Sequence, residues 1–375
     1  MLKTATSVHY AELVSLMREI VDKTLEIAPE LRLLFVTNIR TGEIVDLGPN
    51  GVENIAQHYS RDEAEEVIRS LQDLGLTVEP FFSEAELFEA LVREKQSKDP
   101  RQRIVYTTAE GGSGSGRRAL IPALCNLLAL PAMNSGAHAS SLVRHKFHAF
   151  AVLRQAGVRV PETWQFRDGS WAGGRAPTMG LRVIVKPTYE SMGIGVDDDS
   201  VQVVDAAFNG FVEEKNRKFG QPAVVQEFIS GEEVGVPVAR VGSTYALPPI
   251  VQRRTNGKVF GQLPKTFRDE HLQHDLSHND FQAPNIQIAA LQEAAVRAFD
   301  SLEMKGVGRI DFRVDADGRA WAFDTNGEPP PLPKTCWAVA MERLGFSFQE
   351  LLAVWLGICL LDYELLVTSS SLKYS

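Results

Sequence analysis

The sequence predicts an α/β protein whose N-terminal part holds a doubly wound parallel sheet and whose C-terminal part is α+β. Three observations lead there. Short apolar runs alternate with segments of helical period as far as Leu128, the pattern of parallel strands joined by crossover helices. The glycine-rich turn Gly111-Gly112-Ser113-Gly114-Ser115-Gly116 links the last of these strands to a helix. Farther on, strands follow one another directly, and the closing two are joined by the tight turn Asp315-Ala316-Asp317-Gly318.

The elements follow in order. A helical stretch from Ala11 to Ile27 precedes the apolar strand Leu33-Leu34-Phe35-Val36. Ala64, Val67, Ile68, Leu71 and Leu74 recur at helical spacing and lead to a strand from Thr77 to Phe82. A helix from Glu84 to Lys95 comes next, then the strand Ile104-Val105-Tyr106, the glycine turn and a helix from Arg118 to Leu128. A second unit opens near Ser140 with a helix from Val143 to Ala156 and strands from Arg182 to Pro187 and from Ala223 to Ile229. A third holds strands near Glu233 to Val241 and Ala246 to Val251 and a long polar loop from Arg253 to Asn285. It continues with a helix from Ile288 to Leu302 and the two closing strands. The expected units are therefore 1–139, 140–232 and 233–375, without internal repeats.

Composition narrows the function. With 39 basic against 48 acidic residues, the net charge of −9 argues against a nucleic-acid partner. Cys125, Cys336 and Cys359 form no CxxC pair and no zinc spacing, which fits a reducing, cytoplasmic setting. The N-terminus has charges every few residues and does not read as a signal peptide. The most apolar run, Leu351 to Leu361, is shorter than the roughly 20 residues a bilayer span needs, so it reads as a buried helix and no membrane partner is expected.

Chemistry concentrates in the closing strands. Arg309 and Asp311 lie two apart and share a face, as do Asp324 and Asn326. Pairing the strands would gather an arginine, two carboxylates and a carboxamide, oxygen ligands that suit Mg²⁺; an exposed polar sheet face has the same pattern. Lys186 ends an apolar strand beside a loop of small residues, either a phosphate cradle or a lysine snorkelling at a sheet edge. The glycines from Gly111 to Gly116 miss the GxGxxG spacing and read as a flexible loop, not a dinucleotide site. His271, His274 and His278 lie in a polar segment and read as solvated.

Six segments then fall in a telling order. They are Ala109-Glu110-Gly111 leading into Ile121 to Leu124; Pro131 to Lys146; Val185-Lys186-Pro187; Gln226 to Glu233; Gly308-Arg309-Ile310-Asp311; and Phe323-Asp324-Thr325-Asn326. Over about residues 33 to 335 the chain resembles the D-alanine–D-alanine ligase branch of the ATP-grasp superfamily. The resemblance implies an ATP-grasp fold behind a pre-ATP-grasp domain, with a nucleotide lid at 140–232 and the metal site and closing loop at 233–375. Lys146 and Lys186 would hold the ATP phosphates. Gln226, Glu227, Phe228 and Ile229 would face adenine, with Phe323 also at the nucleotide, and Glu233 would take the ribose hydroxyls. Asp311, Asp324 and Asn326 would hold Mg²⁺, Arg309 would stabilise the tetrahedral intermediate, and Lys265 would reach the γ-phosphate. The resemblance also suggests a homodimer.

The implied activity is ATP-dependent joining of a small carboxylate to an amine through an acyl phosphate, with release of ADP and phosphate. Departures bear on substrate. Phe267 stands where the family usually has tyrosine, Met192 where it has serine, and Pro330 where a glycine N–H is usual; Asp324 replaces the usual glutamate. The expectation is an amino-acid or peptide ligase of specialised metabolism. An orthodox D-alanine–D-alanine ligase and a non-catalytic nucleotide-binding module remain open beside it.

Overall fold

The computed structural model describes residues 4–40, 58–93, 102–111, 114–191, 193, 195–196, 198–254 and 276–368. Its N-terminal sheet comprises β1 (Leu31–Val36), β2 (Thr77–Phe81) and β3 (Gln102–Thr107) in the order β2-β1-β3, all parallel. Alternate residues fill opposite layers. Leu33, Phe35 and Ile104 enter one core with the helix Thr4–Ile27, while Leu34, Val36 and Val105 enter another with Leu87 and Ile121. Burial on both faces is why β1 and the C-terminal half of β3 read as continuous apolar runs. The helix Arg61–Gln72 starts where sequence rules place it, because Ser60 and Glu63 form a reciprocal capping box.

Two antiparallel sheets follow. One holds β4 (Thr163–Arg167), β5 (Ser170–Trp171), β6 (Arg182–Pro187), β7 (Val201–Val203) and β8 (Ala223–Glu227) in the order β5-β4-β8-β6-β7. The other holds β9 (Glu232–Val241), β10 (Ser243–Ala246), β11 (Ile250–Arg254), β12 (Leu276–Asp280), β13 (Val307–Val314) and β14 (Ala320–Asn326). Its order is β12-β11-β9-β13-β14, with β10 also paired to β9. The α/β-then-α+β architecture is the one expected.

Three segments differ from the sequence reading. The helix expected over Val143 to Ala156 is two helices, Ala137–Arg144 and Lys146–Gln155, broken at His145, whose ψ of 85° leaves the helical region. The His145 imidazole accepts the His148 N–H at 3.4 Å, so Lys146 opens a new helix instead of sitting inside one. The polar stretch from Arg253 to Asn285 begins and ends as paired strands, β11 and β12; Lys265, Phe267, His271 and His274 lie outside the described residues, as does Met192. The helix expected from Arg118 is led by a 3₁₀ turn, Arg117–Ala119, before Leu120–Leu128.

The apolar C-terminal run forms the helix Phe348–Asp362, buried against Thr4–Ile27. Among the described residues, no single helix is long and apolar enough to cross a membrane. The two helices approach closely at Gly357, where an added Cβ would lie 2.3 Å from Ile20 Cγ2 and 2.4 Å from Thr24 Oγ1. Gly357→Ala is expected to cost about 1–3 kcal/mol through overpacking. An unchanged urea midpoint for that variant would contradict the packing.

Candidate active site

The closing hairpin carries the centre of the cleft. Asp315 to Gly318 makes the expected turn, with the Gly318 N–H on the Asp315 carbonyl at 2.9 Å. Arg309 pairs with Asn326 and Asp311 with Asp324, but Phe312 pairs with Ala322, so Phe323 is the extra residue of a β-bulge. In a regular strand Phe323 and Asp324 would face opposite sides. Here the bulge lets both line the cleft, while Ala322, Ile310 and Phe312 stay in the core.

Arg309 and Asp311 form a fork-to-fork pair, with Nε on Oδ1 at 2.7 Å and Nη2 on Oδ2 at 2.8 Å. Gln252 also donates to Asp311 Oδ1, at 3.4 Å. Burial raises the Asp311 carboxyl, with Asp324 adding repulsion, while Arg309 and Gln252 oppose the rise. Burial works against the Arg309 charge too, yet Asp311 outweighs it and holds the guanidinium protonated. Asn326 is fixed by the Glu328 N–H, which donates to its Oδ1 at 2.9 Å. His278, across from Gln252 on β12, is pushed down to about 4 by burial and by Arg309, so its imidazole is neutral.

Asp311, Asp324 and Asn326 fit a hard divalent cation. All three offer oxygen, and two carboxylates oppose each other in register, a repulsion that a cation would relieve. Among the described residues no cluster of three or more His, Cys, Asp or Glu forms a complete cage. The two carboxylates and the carboxamide are the kind of oxygen set that could hold Mg²⁺, which takes one or two carboxylates and completes its shell with water and phosphate oxygens.

Lys146 and Lys186 reach the same cleft from two elements. Lys146 donates to the Glu190 carbonyl, and Lys186 donates to Gln226 Oε1 at 3.0 Å. Burial lowers both ammonium groups, Lys186 to about 8; Asp324 opposes the shift in each. Desolvated cations of this kind gain most from a polyanion.

Gln226, Glu227, Phe228, Ile229 and Glu233 also line the cleft, whose volume is about 910 Å³. The Glu227 and Phe228 N–H groups already donate to the Glu162 and Arg182 carbonyls, both at 2.9 Å. A base edge meeting this segment must therefore use other backbone groups. Glu233 is ion-paired to Arg313. Pro330 lines the cleft as well.

Sequence reasoning passed over a second charged group in this cleft. Glu110 is the shared partner of Arg117 (3.7 Å), Arg118 and Arg144; Glu190 pairs with Arg117 (2.9 Å) and Arg144 (3.8 Å); Glu328 pairs with Arg118. Arg144 also donates to Ser191 Oγ at 2.7 Å. Burial lowers the Arg144 guanidinium, with Arg118 and Arg117 adding repulsion. Glu110 was visible only as part of a matched segment, and no local pattern joins residues 210 positions apart.

With the geometry in place, likeness to known proteins is informative. A family model described as D-ala D-ala ligase C-terminus matches residues 152–356, more than half of the chain. The D-alanine–D-alanine ligase of Bordetella petrii is 30% identical over 229 residues, covering 60% of this chain and 67% of that protein. The ligase of Nitrosospira multiformis is 24% identical over 308 residues, covering 82% and 94%. The crystal structure of the Bacillus anthracis D-alanine–D-alanine ligase with ATP superposes with a TM-score of 0.64 at 15% identity, covering 89% of this chain and 99% of that one. The VanG D-Ala:D-Ser ligase of Enterococcus faecalis gives 0.64 at 15% identity, covering 88% and 99%. At that identity the structural likeness is one of fold. Family model, relative and fold agree, and the chain belongs to the D-alanine–D-alanine ligase family of ATP-dependent ligases that form C–N bonds.

Proposed function

We propose that this protein joins an amino acid or small carboxylate to an amine through an acyl phosphate, in specialised metabolism and with substrates other than two D-alanines. One observation carries the reading. The cleft retains Arg309, Asp311, Asp324, Asn326, Lys146 and Lys186 together, while Pro330, which has no N–H to donate, lines the same cleft. Met192 and Phe267 depart from the family pattern in the sequence and are substrate-side changes of the same kind.

The residues divide the work as follows. Lys146 and Lys186 hold the triphosphate from two sides, and their depressed pKa values make them sensitive to its negative charge. The segment Gln226 to Ile229 and Phe323 receive the base, and Glu233 the ribose. Asp311, Asp324 and Asn326 would hold Mg²⁺, which supplies charge neutralisation on phosphate oxygens when bound. Arg309, kept charged and oriented by Asp311, would stabilise a carboxylate oxygen and the later oxyanion. Phosphoryl transfer needs positioning more than covalent help, so a rigid, buried set of charges suffices. Lys265, in the closing stretch, would reach the γ-phosphate, and that stretch would exclude water from the acyl phosphate. The family resemblance makes a homodimer the expected assembly.

An orthodox D-alanine–D-alanine ligase is the second reading, favoured by the 30% identity to the Bordetella petrii enzyme. The test mixes the protein with ATP, Mg²⁺ and single or paired amino acids of both configurations, following phosphate release and product mass. Turnover with another pair and none with D-alanine supports the proposal. D-alanyl-D-alanine as the main product overturns it in favour of the second reading. Phosphate release that survives chelation of divalent cations would remove the metal roles of Asp311, Asp324 and Asn326.

A further inference from the structure

We infer that Arg313 sets a preference for ribonucleotides at this site by positioning the Glu233 carboxylate for the sugar hydroxyls. The inference rests on the proposed role of Glu233 at the ribose. Arg313 lies on β13 directly across from Glu233 on β9, and their side chains form an ion pair. The guanidinium does more than pair. Its Nη1 donates to the Ile229 carbonyl at 3.3 Å, and its centre lies 5.2 Å from the Phe228 ring and 5.4 Å from the Phe323 ring.

One planar group thus touches all the parts expected around a nucleoside: the carboxylate for the sugar, the backbone beside the base, and both aromatic walls. The pattern extends outward as alternating cations and rings. Arg182 sits 4.4 Å from the Phe228 ring, and the Lys186 ammonium 5.4 Å from the Phe323 ring. A flat fork with several fixed donors can hold a carboxylate and a carbonyl together, which a lysine's point charge does less well. The side chains of Glu233 and Arg313 are 12% and 13% exposed, so removing Arg313 takes the facing guanidinium from a largely buried carboxylate. Without the fork that fixes its direction, the carboxylate is no longer held where both sugar hydroxyls can donate to it.

Binding of ATP and of 2′,3′-dideoxy-ATP with Mg²⁺ to the full chain, read by calorimetry, tests this without knowledge of the acyl substrates. The unaltered protein is expected to prefer ATP by about ten- to hundredfold, the worth of hydroxyl donation to a charged acceptor. Arg313→Met should bring the two nucleotides to equal affinity, chiefly by weakening ATP. Glu233→Gln should do the same, and the double variant should be no worse than either single one. Should Arg313→Met not fold, Arg313→Gln, which keeps length without charge, is read by the same ratio. If the Arg313 variants weaken both nucleotides equally and keep the preference, the positioning role is overturned. If Glu233→Gln keeps the preference, or the unaltered protein has none, the ribose role of Glu233 fails first and the inference falls with it.

Discussion

Arg309→Met is expected to lower turnover by roughly 10²–10³-fold per folded molecule, with the amino-acid pair that supports phosphate release in the unaltered protein. The loss arises because Arg309 is the guanidinium held in place by a two-point pair to Asp311 within the proposed reaction centre. Stability should fall too, by about 3–5 kcal/mol, since Asp311 is left buried without its counter-charge. Two readouts separate the roles. Denaturation midpoints report the lost pair, while turnover corrected for the folded fraction reports chemistry. The single variant Asp311→Asn keeps Arg309 and nearly the same volume, so it isolates the carboxylate. Loss of stability with unchanged corrected turnover in Arg309→Met would make the pair structural and remove Arg309 from catalysis.

The closing hairpin was legible because its alternation of charged and apolar residues is the two-residue period of a strand, and its turn is spelled by Asp and Gly. What the pattern did not reveal was the bulge at Phe323, which needs the partner strand's register to be seen. The parallel sheet was legible for a similar reason: strands buried on both faces carry unbroken apolar runs. The break at His145 was hidden because helical period continues on either side, and only the backbone turn and the imidazole cap interrupt it. Lys186 stood out at the end of an apolar strand beside small residues, whereas Lys146 entered from family resemblance alone; their arrival in one cleft links them physically. The group Glu110, Arg117, Arg118, Arg144, Glu190 and Glu328 stayed invisible because its members come from five separate segments, and ion pairs across such distances leave no local periodicity.

That group also yields the second large effect, through Glu110→Gln. Glu110 is buried and meets three guanidiniums, so neutralising it leaves three arginines against the two remaining carboxylates of the group, Glu190 and Glu328. The surplus positive charge is buried, which puts the expected cost at about 3–5 kcal/mol instead of the 0–1 kcal/mol typical of exposed pairs. Added salt should recover little of it, because screening reaches solvent-exposed charges far better than buried ones. The remedy follows from the same accounting. Adding Arg118→Met to Glu110→Gln restores two arginines to two glutamates, although it also removes the Glu328 contact. The double variant should therefore be more stable than the sum of the single losses predicts, by more than about 0.5 kcal/mol. Function should follow stability here, since the group packs against the loop whose Glu190 carbonyl receives Lys146. Urea denaturation of the two single variants and the double one decides the matter. Strictly additive losses, or a Glu110→Gln cost below 1 kcal/mol, would mean that these charges are solvated and do not act as a unit.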